Sequence, residues 1–328
     1  MGGSSWSDTV YRSSVDSKVK SHGTAFVHDA AVRSGTASGV HKDLNPLGVK
    51  MRESRDSDAH PESNAIIVAL DVTGSMQGTP RQIHAKLPML MGLLTLKNYI
   101  PHPQILFAAV GDAYSDSAPT QVGQFESGAE MEGDLSKLFL EGGGGGTMQE
   151  SYEMMAYFAA RHTSIDCLEK RNKRGYMFFI GDEKPYDAVS RTKVKELIGD
   201  DLQENIPTKQ IFTELQKKYV VFLIRPSQAS YVNSPAIEGP WAELLEPQHI
   251  LHLDDTDYIA ELIAAQVGAC EGTIDAAGVA ADLKDVGADD KLIKSVSTAL
   301  SKGYTGGAIA QVSGEGLTTS TKSSVERL

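Results

Sequence analysis

The stretch AIIVALDVTGS, residues 65–75, decides the fold. Six apolar residues run without interruption up to Asp71, which is typical of a strand buried on both faces of a parallel sheet. The loop that follows carries two hydroxyl side chains, Thr73 and Ser75. Because ligands of parallel α/β sheets bind beyond the carboxyl ends of the strands, the stretch predicts a central strand that ends at a polar site.

Outward from this strand, apolar runs alternate with helical patterns along the chain. Strands are predicted at residues 65–71, 104–112, 174–183, 219–226 and 249–254, with a half-exposed edge strand at 120–126. Helices are predicted at residues 81–100, 130–140, 148–162, 208–218 and 255–269. The first of these helices contains Pro88, so it either kinks there or starts there.

This alternation predicts an α/β fold, doubly wound, with a mostly parallel six-stranded sheet that is covered by helices on both faces. The edge strand at 120–126 is predicted to be antiparallel, because too few residues separate it from the preceding strand for a crossover helix.

Composition divides the chain into four parts. They are a polar N-terminal arm at 1–63, the α/β domain at 64–270, a small helical extension at 271–302 and a tail rich in Gly, Ser and Thr at 303–328. The arm is too polar to form a core of its own. It is therefore either disordered or docked, on its own domain or on another copy of the chain in a homo-oligomer. The predicted anchors of a docked arm are Trp6, Phe26, Val27 and Leu44.

Charge and cysteine content argue against several classes of protein. The net charge of −12 over 328 residues argues against a general binder of nucleic acids or anionic membranes, which relies on clustered positive charge. Two cysteines exclude a disulfide framework and a Cys-rich zinc site. No apolar run reaches the length of about 18 residues that crosses a bilayer, and the first residues, MGGSSW, match neither a signal peptide nor a myristoylation site. We therefore expect a cytoplasmic protein.

Oxygen-bearing side chains follow several of the predicted elements. Besides the loop after the first strand, a hydroxyl follows five consecutive glycines at 142–146, and an acid follows the strand at 174–183. This set contains no sulfur and no imidazole, so it suits a hard cation such as Mg²⁺ or Mn²⁺. The candidate metal ligands are Asp71, Thr73, Ser75, Thr147 and Asp182.

In the order of its elements and of the oxygen-bearing residues that follow them, the segment 64–268 resembles the von Willebrand factor A domain. That family carries a metal-ion-dependent adhesion site made of Asp-x-Ser-x-Ser, a distant Thr and a distant Asp, and the five candidate ligands match it in order. Thr73 replaces the more common Ser and keeps the hydroxyl. The resemblance implies that the hydroxyls bind the metal directly and that the acids often act through water.

The same resemblance implies an adaptor rather than an enzyme. In the family, one coordination position of Mg²⁺ (or Mn²⁺ or Ca²⁺) is left for an Asp or Glu of a partner protein. Stand-alone intracellular members often work with MoxR-type AAA+ ATPases, which makes such an ATPase a candidate partner.

The motif also resembles a different class, the haloacid dehalogenase-like phosphatases and P-type ATPases. There, Asp71 would be the nucleophile of a phosphatase or phosphotransferase, and residues 181–187 would be the acidic Mg²⁺ motif. Those phosphatases generally need a second acid where this chain has Thr73, and the pumps need membrane helices. The alternative also leaves the glycine run unexplained.

Each feature has a purely structural explanation as well. An Asp after a strand often caps the next helix, and a glycine run is often a flexible linker. Asp112 and Asp116, after the second strand, belong either to the surroundings of the metal or to a solvated loop. His84 and His162 have no partner at ligand spacing and are assigned to the surface or to packing.

Overall fold

A computed structural model describes residues 3–143, 147–227 and 234–303 of the chain. The strands are β1 (Arg52–Ser54), β2 (Asn64–Asp71), β3 (Pro103–Val110), β4 (Thr120–Val122), β5 (Thr163–Ile165), β6 (Gly175–Ile180), β7 (Ala188–Val189), β8 (Ile206–Pro207), β9 (Tyr219–Pro226) and β10 (Ile250–Leu253).

The central sheet has six strands in the order β10-β9-β6-β2-β3-β4. All neighbouring pairs are parallel except β3 with β4, which is antiparallel. The predicted fold class is therefore confirmed, including the antiparallel edge strand. Two small two-stranded sheets, β1 with β5 and β7 with β8, lie outside the central sheet and were not predicted.

Helices cover both faces of this sheet. They are α1 (Asp8–His22), α2 (Val27–Arg33), α3 (Thr79–Ala85), α4 (Leu87–Met91), α5 (Glu130–Leu135), α6 (Tyr152–Arg161), α7 (Asp166–Arg171), α8 (Arg191–Leu197), α9 (Thr208–Lys218), α10 (Pro235–Leu244), α11 (Ile259–Glu271), α12 (Ala276–Asp285) and α13 (Asp290–Lys302).

Strand β2 is buried along its whole length because alternate side chains enter two different cores. Ile66, Val68 and Leu70 share one core with α3, α4 and α11. Ala65, Ile67 and Ala69 share the other core with α6, α9 and α10. The uninterrupted apolar run at 65–70 is the consequence of burial on both faces.

Pro88 divides the helical segment that follows the first loop. Helix α3 ends at Ala85, and α4 begins at Leu87 with Pro88 in its first turn. Proline has no backbone N–H to donate, so the first turn is the position where it costs a helix least. A π-helical turn at Gly92–Leu96 follows.

The N-terminal segment lies against the α/β domain and shares its core. Tyr11, Phe26 and Leu44 are buried in the same cluster as one face of the central sheet, and Trp6 is partly buried against it. Val27, a predicted anchor, is only half-buried. Helix α1 was not predicted, because its sequence has a weak apolar stripe. Docking of the N-terminal arm on another copy of the chain, in a homo-oligomer, stays a prediction.

Buried polar contacts also hold this segment. Glu132 of α5 is fully buried and accepts hydrogen bonds from Ser14 Oγ at 2.7 Å and Lys18 Nζ at 2.5 Å, both in α1. On its other oxygen, Oε1, it contacts His84 Nε2 at 3.2 Å. These partners hold the pKa of Glu132 at about 2 although its burial acts to raise it. His84 is thus a packing residue that joins α3 to α5.

At the other end, α12 and α13 extend the core. Val279, Leu283, Val296 and Leu300 are buried in the cluster that also contains β10 and α11. Two helices after Gly272 agree with the sequence, and most of the predicted tail, residues 304–328, lies outside the described residues. Within the described ranges, no helix has the length and apolarity to cross a membrane.

Replacing Glu132 with Ala should destabilise the protein by about 1 to 3 kcal/mol, because it leaves the half-buried Lys18 ammonium and the buried His84 without their shared partner. The measurement is urea denaturation at pH 7. Glu130→Ala, two residues earlier in α5 and exposed, is the matched control and should change stability by less than about 0.5 kcal/mol. Equal effects of the two substitutions would contradict a network at Glu132.

Candidate metal site

The strand order places the candidate site where the sheet topology reverses. From β2, the chain adds β3 and β4 on one side, and later β6, β9 and β10 on the other. Leu70 pairs with Ile180 in β6, so the residues that follow, Asp71 and Gly181–Asp182, leave adjacent strands side by side. Such a reversal is where parallel α/β sheets bind ligands.

Asp71 is fully buried, and both of its oxygens accept hydrogen bonds. Oδ1 accepts from the backbone N–H of Thr73 at 2.9 Å and from its hydroxyl at 2.7 Å. Oδ2 accepts from the Tyr152 hydroxyl at 2.8 Å. Burial raises the pKa of Asp71 to about 7, and the charge of Asp182 adds to the rise, while the hydrogen bonds act against it. The charge of Asp182 therefore acts on Asp71.

Thr73 brings a further acid into the site. Its Oγ1 lies 2.7 Å from Asp71 Oδ1 and 2.9 Å from Glu150 Oε1. A hydroxyl has one hydrogen to donate, so one of these contacts needs either a proton on the carboxyl group or a cation. Glu150 is 1% exposed. Burial raises its pKa to about 11, with the charges of Asp71 and Glu183 adding to the rise.

The loop after β6 supplies two adjacent acids. Asp182 is buried. The pKa of Glu183 is raised mainly by the burial of Glu183, and the charge of Asp182 adds to the rise. Two backbone contacts fix this loop, from Gly181 N–H to Ile224 O at 3.2 Å and from the Trp241 indole to Glu183 O at 2.7 Å. The carboxyl groups of Glu183 and Glu150 interact directly.

Thr147 makes its hydrogen bonds to other residues. Its side chain is exposed, and its hydroxyl contacts the backbone carbonyl of Gln149 at 3.3 Å and the hydroxyl of Tyr186. Within the described ranges, no hydrogen bond joins Thr147 to Asp71, Thr73 or Asp182.

The glycine run begins beside the first loop. Gly142 N–H donates to Val72 O at 3.0 Å, and Gly74 N–H donates to Gly143 O at 2.6 Å. Gly142 has a φ of +69°, which a residue with a Cβ adopts only with strain. Gly144 to Gly146 lie outside the described residues, as does the side chain of Ser75. The five-ligand set therefore stays a prediction.

The loop after β3 adds one more buried acid. Asp112 accepts from Tyr114 N–H, from the Ser115 hydroxyl and from the Tyr186 hydroxyl, the last at 3.0 Å. Asp116 in turn accepts from the backbone N–H of Asp112 at 2.7 Å. These bonds close the loop on itself, and the charge of Asp112 helps to raise the pKa of Glu183.

The donor set fits a hard cation. Within the described ranges, no Lys or Arg forms an ion pair with Asp71, Glu150 or Glu183, and the Oε2 atoms of Glu150 and Glu183 are buried without a hydrogen-bond donor. A cation among them would neutralise charges that burial otherwise disfavours. No three acid, His or Cys side chains of the described part already surround a common point, so hydroxyls or water would complete a coordination shell.

Sequence reasoning missed Glu150, Tyr152 and Glu183. Glu150 stands three residues after Thr147 and Glu183 directly after Asp182, so both were near predicted ligands. Their burial was the missing information, because a Glu in a loop is normally assigned to the surface. Tyr152 lies in the helix predicted at 148–162, where a tyrosine normally packs in the core.

A comparison of the sequence with protein-family models finds no match, and a comparison with curated proteins finds none either. Solved structures do match. The pilus adhesin SpaC from Lactobacillus rhamnosus GG, in an open conformation, has 10% identity and a TM-score of 0.45 over 66% of this chain and 31% of the adhesin.

Two further structures match at similar levels. Proximal thread matrix protein 1 from the mussel byssus has 11% identity and a TM-score of 0.40 over 65% of this chain and 49% of its own. A von Willebrand factor type A structure from Catenulispora acidiphila has 12% identity and a TM-score of 0.35 over 69% and 48%. The match to von Willebrand factor type A is a distant one. This chain spans less than half of each of these proteins.

The pH dependence of stability should report the buried Asp71. Its pKa rises from 3.8 to about 7 on folding, so the folded protein binds more protons than the unfolded one between about pH 4 and pH 7, and stability falls as pH rises through that window. In excess chelator, we expect a lower free energy of unfolding at pH 8 than at pH 5. Asp71→Asn should show a smaller decrease, measured by urea denaturation. The same decrease in both proteins would contradict this assignment.

Gly181 should tolerate no side chain. A Cβ at this position would lie 1.9 Å from the Tyr152 hydroxyl and 3.1 Å from Asp71 Oδ2. Gly181→Ala should therefore cost about 1 to 3 kcal/mol in urea denaturation, and less in a Tyr152→Phe background, which lacks the clashing oxygen. Gly133→Ala, whose Cβ would meet nothing within 4 Å, is the control. Additive effects of Gly181→Ala and Tyr152→Phe would refute the clash.

Proposed function

We propose that this chain is a Mg²⁺-dependent protein-interaction module whose metal-ion-dependent adhesion site takes a carboxylate from a partner protein. The observation that carries the proposal is the contact of the Thr73 hydroxyl with two buried carboxyl groups, Asp71 and Glu150, which have no basic partner among the described residues. Acids in this arrangement are stabilised by a cation.

The proposed holders of the cation are the five residues that match the adhesion site. Asp71 and Asp182 supply negative charge at the ends of β2 and β6. Thr73 supplies a hydroxyl that contacts Asp71 and Glu150. Ser75 and Thr147 enter by resemblance. Mn²⁺ or Ca²⁺ could replace Mg²⁺ at oxygen ligands.

The bound cation would supply a coordination position for an Asp or Glu side chain of the partner. The chain itself would shape the surface around the cation, which the partner contacts. Gly142 and Gly143 pack on the first loop through backbone contacts, and glycine lets another chain approach the backbone closely. The partner class that the family resemblance implies, a MoxR-type AAA+ ATPase, has no further support in the described contacts.

The phosphatase alternative is less well supported. A nucleophilic Asp71 needs an oxygen that a phosphoryl group can reach, whereas the Asp71 side chain is fully buried and is held by Thr73 and Tyr152. In addition, Thr73 cannot act as the general acid that this class generally places two residues after the nucleophile. We therefore propose a binding role without catalysis.

Mg²⁺ should stabilise the wild type and leave Asp71→Ala unchanged, because binding to the folded state alone adds about 3 kcal/mol at a concentration of about 100 times Kd. The measurement is Tm with Mg²⁺ and with chelator. Asp58→Ala, an exposed acid, is the control and should respond to Mg²⁺ as the wild type does.

Partner binding should show the same dependence. Immobilised wild type should retain a partner in Mg²⁺ and release it in chelator, and Asp71→Ala should retain none. Changing one Asp or Glu of that partner to the amide should abolish retention. A partner held equally well in chelator would overturn the interaction mode, and Mg²⁺-dependent hydrolysis of a phosphomonoester, lost in Asp71→Asn, would favour the phosphatase.

A further inference from the structure

The sequence pattern assigns a metal ligand to Thr147, but among the described residues Glu150 is the one that contacts the Thr73 hydroxyl. Its Oε1 lies 2.9 Å from the Thr73 hydroxyl, which itself contacts Asp71. Its side chain is almost completely buried. The Thr147 side chain is exposed and its hydroxyl contacts Gln149 and Tyr186 instead.

The backbone around Glu150 holds its side chain toward the site. Glu150 N–H donates to Lys184 O at 3.0 Å, and Lys184 N–H donates to Met148 O at 3.2 Å. This pairing ties the segment that follows the glycine run to the loop that carries Asp182 and Glu183. The backbone of Glu150 therefore stays beside the loop that carries Asp182 and Glu183.

The Glu150 carboxyl group is incompletely satisfied by the protein. Oε2 is buried and receives no hydrogen bond from a described residue, and Oε1 shares the single hydrogen of the Thr73 hydroxyl with Asp71 Oδ1. Two buried carboxyl groups around one hydroxyl need either a proton or a cation, because two bare charges would repel each other in a medium of low dielectric. Oxygen atoms of Asp71, Thr73 and Glu150 offer a cation neighbouring ligands.

We propose that Glu150, rather than Thr147, is the metal ligand supplied by the segment after the glycine run. This inference rests on the proposed function, since it concerns the same cation. It leaves Thr147 at the exposed rim, beside Tyr186 and the half-exposed Tyr114, whose rings lie 4.7 Å apart. Thr147 then contacts the partner and not the metal.

The test compares Glu150→Gln with Thr147→Ala by calorimetric titration with MgCl₂ and by the rise of Tm that Mg²⁺ produces. Gln keeps the shape of Glu and removes the charge. We expect Mg²⁺ affinity to fall about 10- to 100-fold or more in Glu150→Gln and less than about threefold in Thr147→Ala. Glu153→Gln, another buried acid in the same segment that accepts from Tyr186 N–H at 3.1 Å, is the control and should bind as the wild type does.

The outcomes separate the two proposals. Loss of affinity in Thr147→Ala with wild-type affinity in Glu150→Gln overturns the role of Glu150 and leaves the adhesion site intact. A wild type that binds no Mg²⁺ overturns both. If Glu150→Gln does not fold, Glu150→Asp keeps the charge but shortens the side chain, and wild-type affinity in that variant would count against direct ligation.

Discussion

The burial of several carboxyl groups at one edge of the sheet is the constraint on which the rest of the site depends. Asp71 and Glu150 lie on either side of one hydroxyl, and neither has a basic partner among the described residues. Burial of an unpaired charge is costly, so the folded chain meets this cost by protonation or by a cation. Burial accordingly raises the pKa of both carboxyl groups above the ordinary range.

The packing around β2 and α6 holds the acids at this edge of the sheet in place. Both faces of β2 are packed in apolar cores, and the Tyr152 hydroxyl reaches Asp71 from helix α6. Gly181 lies so close to that hydroxyl that a single methyl group would collide with it. Close packing fixes the acids in place, because the core side chains around them cannot shift independently.

The N-terminal segment is part of the same structure. It buries Tyr11 and Phe26 in the core that β2 shares with α3, α4 and α11. Its Ser14 and Lys18 donate hydrogen bonds to the buried Glu132. The first residues are thus held by a few apolar anchors and a buried polar network. The sequence predicts the apolar anchors Trp6, Phe26 and Leu44, which do pack on the core. It does not predict the polar network, because that network forms only after folding.

The sequence by itself determined the α/β class, the six strands of the central sheet, the antiparallel edge strand and the acids at the ends of β2 and β6. These features depend on local patterns, namely apolar runs of strand length and helical periodicity. Only the tertiary structure decided which side chains meet at the site. Among the described contacts, Glu150 meets the Thr73 hydroxyl and Thr147 does not. Backbone pairing between residues 148–150 and Lys184 places this segment beside the loop after β6. Such pairing joins residues far apart in the chain, and no local pattern encodes it.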